Sequence, residues 1–183
     1  DGLTGIANGP PSIDRAEHIL ETTRKTNQEM CVALCDLDYF KAINDRFGHA
    51  AGDFVLKKTV AACQSHLRPQ DLFGRFGGEE FGIVLASCAL DVARERCEQL
   101  RAAIESITAA EFGMHTNVTA SFGVASTKFS GYDLRLLLAH ADSALYEAKR
   151  AGRNCVVAYD ATQAALHEDS PQPQPHERYA GVG

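Results

Sequence analysis

The chain has no run of about 20 consecutive apolar residues, the length a helix needs to cross a bilayer, and no recognisable signal peptide. Neither feature of a membrane-inserted or secreted chain is therefore read here. Basic residues are in deficit, with 18 Lys and Arg against 24 Asp and Glu, a formal charge of −6 and a pI of about 5.6. That balance argues against a general nucleic-acid binder, while leaving room for a local phosphate site. C-x-x-C pairs are also lacking. The six cysteines (Cys31, Cys35, Cys63, Cys88, Cys97 and Cys155) lie mostly in apolar stretches, and Cys31 and Cys35 have no companion histidine. They read as small buried hydrophobes in a reducing cytosol. No internal repeat occurs, and 183 residues make one domain of ordinary size.

Two apolar runs dominate what is present. Met30 to Leu37 (MCVALCDL) is nearly continuous, so it reads as a strand buried on both faces. It carries Asp36 near its end, where an unpaired ionised carboxylate would be costly. Phe81 to Leu85 is a second buried strand, preceded by a weaker one at Asp71 to Phe76. Gly77-Gly78 between them reads as a tight hairpin, because glycine takes positive φ freely. If Glu79 and Glu80 both sit in regular strand they point to opposite faces, so that one can face a site while the other faces away. Taken alone, the stretch is a solvated turn with two surface glutamates. Together with Asp36 it offers a second arrangement, a divalent cation shared by Asp36 and Glu79, keeping waters and bridging substrate phosphates.

The remaining chain supplies helices. Ser12 is a suitable N-cap for a helix running to Lys25. Asp38 to Phe47 is a short helix, whose first N–H groups suit phosphate. Gly48 to Gly52 is a break, and a longer helix runs from Asp53 to Leu67 with Leu56, Val60, Cys63 and Leu67 on one face. Helices are also expected over 90–107 and 132–150, strands over 117–125 and 155–159, and Gly152 as a C-cap. This order gives an α+β fold, a mostly antiparallel sheet flanked by helices. The domain spans 1–160; the Pro-rich stretch within 161–183 reads as a flexible tail, disordered from His167.

Six blocks in order resemble the GGDEF domain of bacterial diguanylate cyclases. Gly77-Gly78-Glu79-Glu80-Phe81 is similar to its signature in the GGEEF form. Asp36 to Asp45 matches the D-x-D-x-F-K-x-x-N-D block and Gly48 to Asp53 the G-H-x-x-G-D block. Asp1 to Asn8 resembles the opening motif, and Ala120 to Ala125 and Ala141 to Asn154 the closing ones. The resemblance implies a fold like that of class III nucleotidyl cyclases and the polymerase palm. It implies condensation of two GTP into cyclic di-GMP with release of pyrophosphate, in a homodimer. Asp36, Glu79 and the Leu37 carbonyl match its metal ligands for Mg²⁺ or Mn²⁺, two per GTP, with Glu80 as an additional contact; Glu79 also matches the group that helps deprotonate the attacking hydroxyl. Asn44 and Asp53 match the residues that read guanine; each also suits a helix cap. Phe40, Lys41, Lys149 and Arg153 match substrate and phosphate contacts.

Arg68-Pro69-Gln70-Asp71 matches the R-x-x-D site at which product inhibits many such enzymes, Arg68 serving as a bidentate donor. An arginine on the following helix completes that site in relatives; Gln99 aligns with it here, with Arg101 nearby on a different face. Gly9-Pro10 stands where the family has two arginines. The chain opens at the family's first motif, so an upstream sensory or dimerising domain is expected beyond it, anchored to a membrane or not, with the catalytic domain itself cytoplasmic. The competing reading is a non-catalytic module that holds cyclic di-GMP or GTP and signals through a partner.

Overall fold

The computed structural model describes residues 2–8, 10–160 and 162. The expected tail lies outside them, apart from Thr162. A six-stranded sheet forms the centre, in the order β1 (Ala7–Asn8), β3 (Leu72–Arg75), β4 (Glu80–Leu85), β2 (Cys31–Leu37), β5 (Ala120–Ser126) and β6 (Val156–Ala158). The four inner strands pair antiparallel, and β1 and β6 add a parallel strand at each edge. All seven residues of β2 are buried, as its unbroken apolar run requires.

Alternation along β2 sorts the core into two layers. Cys31, Ala33, Cys35 and Leu37 pack toward α3 (His49–Gln64) and α4 (Leu90–Glu105), with Phe40 of α2 (Phe40–Phe47) closing that layer. Val32 and Leu34 face the other way, toward α1 (Pro10–Lys25) and α6 (Leu134–Arg150). Asp36 continues this second row, so the strand's period of two aims its carboxylate at the α6 side. A short helix, α5 (Thr127–Ser130), precedes α6. Asp133 caps α6 by accepting from the N–H groups of Arg135 and Leu136 at 2.9 and 3.2 Å. Gly123 in β5 lets α6 cross the sheet closely: a Cβ there would collide with the Ala141 carbonyl and the Leu145 amide, and would stand 2.7 Å from the Leu145 Cα.

Several local expectations change. The first helix begins at Pro10, ahead of Ser12, because proline at the first helical position gives up only an N–H that would be unpaired anyway. The break between α2 and α3 is Gly48 alone, at φ 84°. The helix after it starts at His49 instead of Asp53, so Asp53 is not its cap. Gly52 stays helical because α2 leans against it; a Cβ there would collide with the Asn44 side-chain amide and stand 3.2 Å from the Phe40 ring. Neither Gly77 nor Gly78 has positive φ. Arg75 pairs with Phe81, so the turn between them is longer than a two-residue hairpin. Gly77 instead gives room to Glu80, whose Oε2 would lie 2.9 Å from a Cβ. The strands β1 and the helix α5 were not expected from the sequence.

Candidate active site

The carboxylates meet where β2 and β4 run side by side. Asp36 pairs in register with Glu80 across the ladder, and Leu37 N–H donates to the Glu79 carbonyl at 3.2 Å. Side chains directly opposite in neighbouring strands share a face. Glu80 is thus the glutamate that sits with Asp36 on the sheet, and Glu79 joins them from the turn. A cleft of about 490 Å³ opens over this corner. Asp36, Leu37, Asp38, Glu79 and Glu80 line it together with Tyr39, Phe40, Lys41, Lys149 and Arg153. Eight of the twelve expected site residues therefore lie in one cavity.

Lys149, in the last turn of α6, places its Nζ 3.0 Å from Asp36 Oδ2. Burial pushes the Asp36 carboxyl up, Lys149 pulls it down, and Glu79 and Glu80 push it up again. Two carboxylates opposite each other with a third close by form a donor set that suits a hard cation. Among the described residues no three His, Cys, Asp or Glu side chains converge to hold an ion unaided. The fit is to a cation such as Mg²⁺ that retains waters and takes substrate oxygens.

Asp38 was named in the sequence motif without a role. It is buried, and accepts from Thr119 Oγ1 at 2.8 Å, Ser121 Oγ at 2.7 Å and the Asn154 N–H at 3.1 Å. Those three bonds tie the end of β2 to β5 and to the turn after α6. Tyr39 is 65% exposed, and its backbone is left-handed at φ 56°. That conformation costs a bulky residue about 1–2 kcal/mol. The Arg153 guanidinium lies over its ring at 4.7 Å. The short exposed step from β2 into α2 leaves the helix start without a side-chain cap, so its N–H groups are available to an anion.

Asn44 and Asp53 do not line this cleft. They sit together beyond Phe40: the Asn44 side chain packs on Gly52, next to the exposed Asp53. Phe40 touches both regions.

Arg68 and Asp71 form a turn of their own. Asp71 Oδ2 accepts from Arg68 N–H at 2.8 Å, and Asp71 N–H donates to the Arg68 carbonyl at 3.0 Å. From α4, Arg96 reaches Asp71 Oδ2 at 2.6 Å in a buried ion pair. Arg101 is held by Glu98, Glu105 and Asn154. The signal for Arg96 was its position beside Cys97 on the buried stripe of α4.

The family description "Diguanylate cyclase, GGDEF domain" matches residues 1–155. Diguanylate cyclase DgcP of Pseudomonas aeruginosa is 39% identical over 155 residues, 84% of this chain and 23% of that protein. The chain thus spans less than a quarter of that relative. Among solved structures, the GGDEF domain of DgcB from Caulobacter crescentus in complex with c-di-GMP is 30% identical, with a TM-score of 0.81 over 88% of this chain and 93% of that one. The active GGEEF domain of a diguanylate cyclase from Vibrio cholerae is 31% identical, with a TM-score of 0.79 over 85% and 98%. With the family model matched over residues 1–155 and solved GGDEF domains superposing on most of the chain, the chain belongs to the GGDEF domain family of diguanylate cyclases.

Proposed function

We propose that this domain condenses two molecules of GTP into cyclic di-GMP with release of two pyrophosphates. The observation that carries the reading is the register of Asp36 opposite Glu80, in a cleft whose other wall is cationic. Like charges directly opposite are unfavourable unless a cation lies between them. Phosphoryl and nucleotidyl transfer ask for both a cation and a cationic cradle.

Asp36, Glu79 and the Leu37 carbonyl are the groups that would hold a divalent cation, Mg²⁺ or Mn²⁺ at two per GTP, with Glu80 as the additional carboxylate. When bound, the cation neutralises phosphate charge and lowers the pKa of the attacking hydroxyl. The chain's own residues do the rest. Lys149 and Arg153 take phosphate oxygens, joined by Lys41 and the N–H groups at the start of α2. Glu79 accepts the proton of the 3′-hydroxyl as that oxygen attacks the α-phosphorus of the facing GTP; the pyrophosphate of that GTP leaves. Asp53 accepts from guanine N1–H and N2–H₂, and the Asn44 amide donates to O6 or N3. Phe40 spans the two regions and places the base relative to the phosphates.

The second GTP sits in a second copy of the domain, so the working unit is a homodimer. Product returns to the Arg68–Asp71 turn through Arg68, while Arg96, buried against Asp71, fixes that turn from α4.

Chromatography of nucleotides after incubation with GTP and Mg²⁺ tests the reading. It compares the chain, a form dimerised through a fused coiled coil, and that dimer with Glu79→Gln. Cyclic di-GMP is expected from the dimer, with a loss of about 10²-fold or more on Glu79→Gln. A dimer that binds GTP and makes no product would replace the cyclase by a nucleotide-binding module.

A further inference from the structure

We propose that Arg101, Glu105 and Asn154 are positioning residues that hold Arg153 at the mouth of the cleft, from a place outside it. This rests on the reading of Arg153 as a phosphate contact.

The turn that carries Arg153 is backbone-strained. Gly152, Arg153 and Asn154 follow one another at φ 115°, 67° and 47°. Glycine adopts such angles freely and asparagine tolerates them, but an arginine there needs support from its surroundings. Each residue after the glycine is tied down. Arg153 N–H donates to the Ala148 carbonyl at 3.0 Å, and Asn154 N–H donates to Asp38 Oδ2 at 3.1 Å.

The Asn154 side chain spends both of its polar ends on α4. Its Oδ1 accepts from Arg101 Nη1 at 2.7 Å, and its Nδ2 donates to Glu105 Oε1 at 2.8 Å. Arg101 in turn reaches Glu105 Oε2 at 2.7 Å and, through Nε, Glu98 Oε1 at 2.7 Å. Its side chain is only 14% exposed. An arginine and two glutamates thus serve to fix one amide. Charge-assisted bonds of this kind are the stronger sort, and their planar fork fixes direction as well as distance.

What is fixed is where Arg153 points. From the other wall, Tyr39 presents its ring to the guanidinium at 4.7 Å and its hydroxyl to Nη1 at 3.4 Å. Two left-handed residues, one on each side of the cleft, meet in this way. A free arginine samples many rotamers, and holding one before substrate arrives removes that entropy from binding. Asp38 belongs to the same assembly: it lines the cleft and anchors the Asn154 amide.

The experiment is a double-mutant cycle of Arg101→Ala and Arg153→Ala in the full chain. It is read by KM for GTP in the dimerised form and by affinity for a fluorescent GTP analogue. Arg101→Ala is expected to weaken nucleotide affinity roughly five- to tenfold, the scale of one ordinary net hydrogen bond, with kcat changed much less. Arg101→Lys keeps the charge without the planar fork and restores only a small part of it. In the Arg153→Ala background, Arg101→Ala adds nothing, because its effect passes through Arg153. Additive losses in the cycle, or an unchanged affinity in Arg101→Ala, overturn the proposal. Trypsin cleavage after Arg153 in nucleotide-free protein gives a second reading, with faster cleavage expected in Arg101→Ala and Asn154→Ala. If cleavage accelerates while the parent binds no GTP, the positioning stands and the nucleotide role of Arg153 falls. If cleavage does not change, the positioning falls whatever the enzyme does.

Discussion

Replacing Gly123 by alanine adds one methyl group at the tightest crossing in the fold. The new carbon would overlap the Ala141 carbonyl and the Leu145 amide and lie 2.7 Å from the Leu145 Cα. Carbon atoms rest at about 3.5–4.0 Å, so α6 must lift by about 1 Å over this stretch. A gap of that width forfeits roughly a quarter to a half of the dispersion attraction along the interface. The interface includes Leu137, Ala141, Ala144, Leu145 and Ala148, all buried. The obstacles are backbone atoms of a helix, which cannot rotate aside as a side chain can. The cost therefore lies at the upper end of overpacking, about 3 kcal/mol. For a chain of this size that lowers the thermal midpoint by roughly 6–12 °C. Gly78→Ala is the matched control, since nothing lies within 4 Å of its added carbon and its φ is not left-handed; its stability effect stays within about 0.5 kcal/mol. Differential scanning calorimetry reads both. A Gly123→Ala midpoint as close to the parent's as that of Gly78→Ala would refute the packing argument. The same variant also shifts Lys149 away from Asp36, so nucleotide affinity falls along with stability.

Asp36 gives a pH-dependent prediction. Burial holds its carboxyl above the usual range, against the pull of Lys149 and with the push of Glu79 and Glu80. The folded chain then binds that proton more tightly than the unfolded chain. Ionisation subtracts stability as pH rises from about 3.9, the unfolded value, through the folded one. In chelator, Asp36→Asn is expected to melt above the parent at about pH 7 and to converge with it near about pH 4; a lower midpoint for the variant at about pH 7 would contradict the sign. Arg96→Ala strands the Asp71 carboxylate, whose side chain is 0% exposed, and is expected to cost about 3–5 kcal/mol in urea denaturation. Arg96→Ala with Asp71→Ala recovers a large part of it, and equal losses in the single and double variants would mean that the ion pair is not the cause.

The long elements were legible because their apolar spacing leaves one choice. The uninterrupted run of β2, the stripe of Ala93, Cys97, Leu100 and Ile104 on α4, and that of Leu134, Leu137, Leu138, Ala141 and Leu145 on α6 all lie where their periods put them. Pieces decided by a distant neighbour were not legible. The two residues of β1 are a strand because β3 offers a parallel edge. Gly52 looks like a helix breaker until α2 is seen leaning on it, and that misplaced the start of α3. The site divides in the same way. The motif blocks identified the carboxylates and cations. Pairing register, which no local pattern encodes, decided that Glu80 stands opposite Asp36 and that Glu79 joins from the turn. Likewise Arg96 meets Asp71 through the packing of α4 against the turn before β3.

The position of β2 inside the sheet divides the cleft into a slow wall and a fast one. Asp36 stands on a strand hydrogen-bonded on both sides, and it comes loose only when the whole sheet does. Amide exchange along Cys31 to Asp36 should therefore track global unfolding. Glu79, Tyr39 and Arg153 stand on turns outside the paired strands, and of these turns the Glu79 one is hydrogen-bonded to β2, through the Leu37 N–H. An effector or partner that reached the turn wall alone would move Glu79, Tyr39 and Arg153 around a fixed Asp36, which keeps its ion pair to Lys149 on α6.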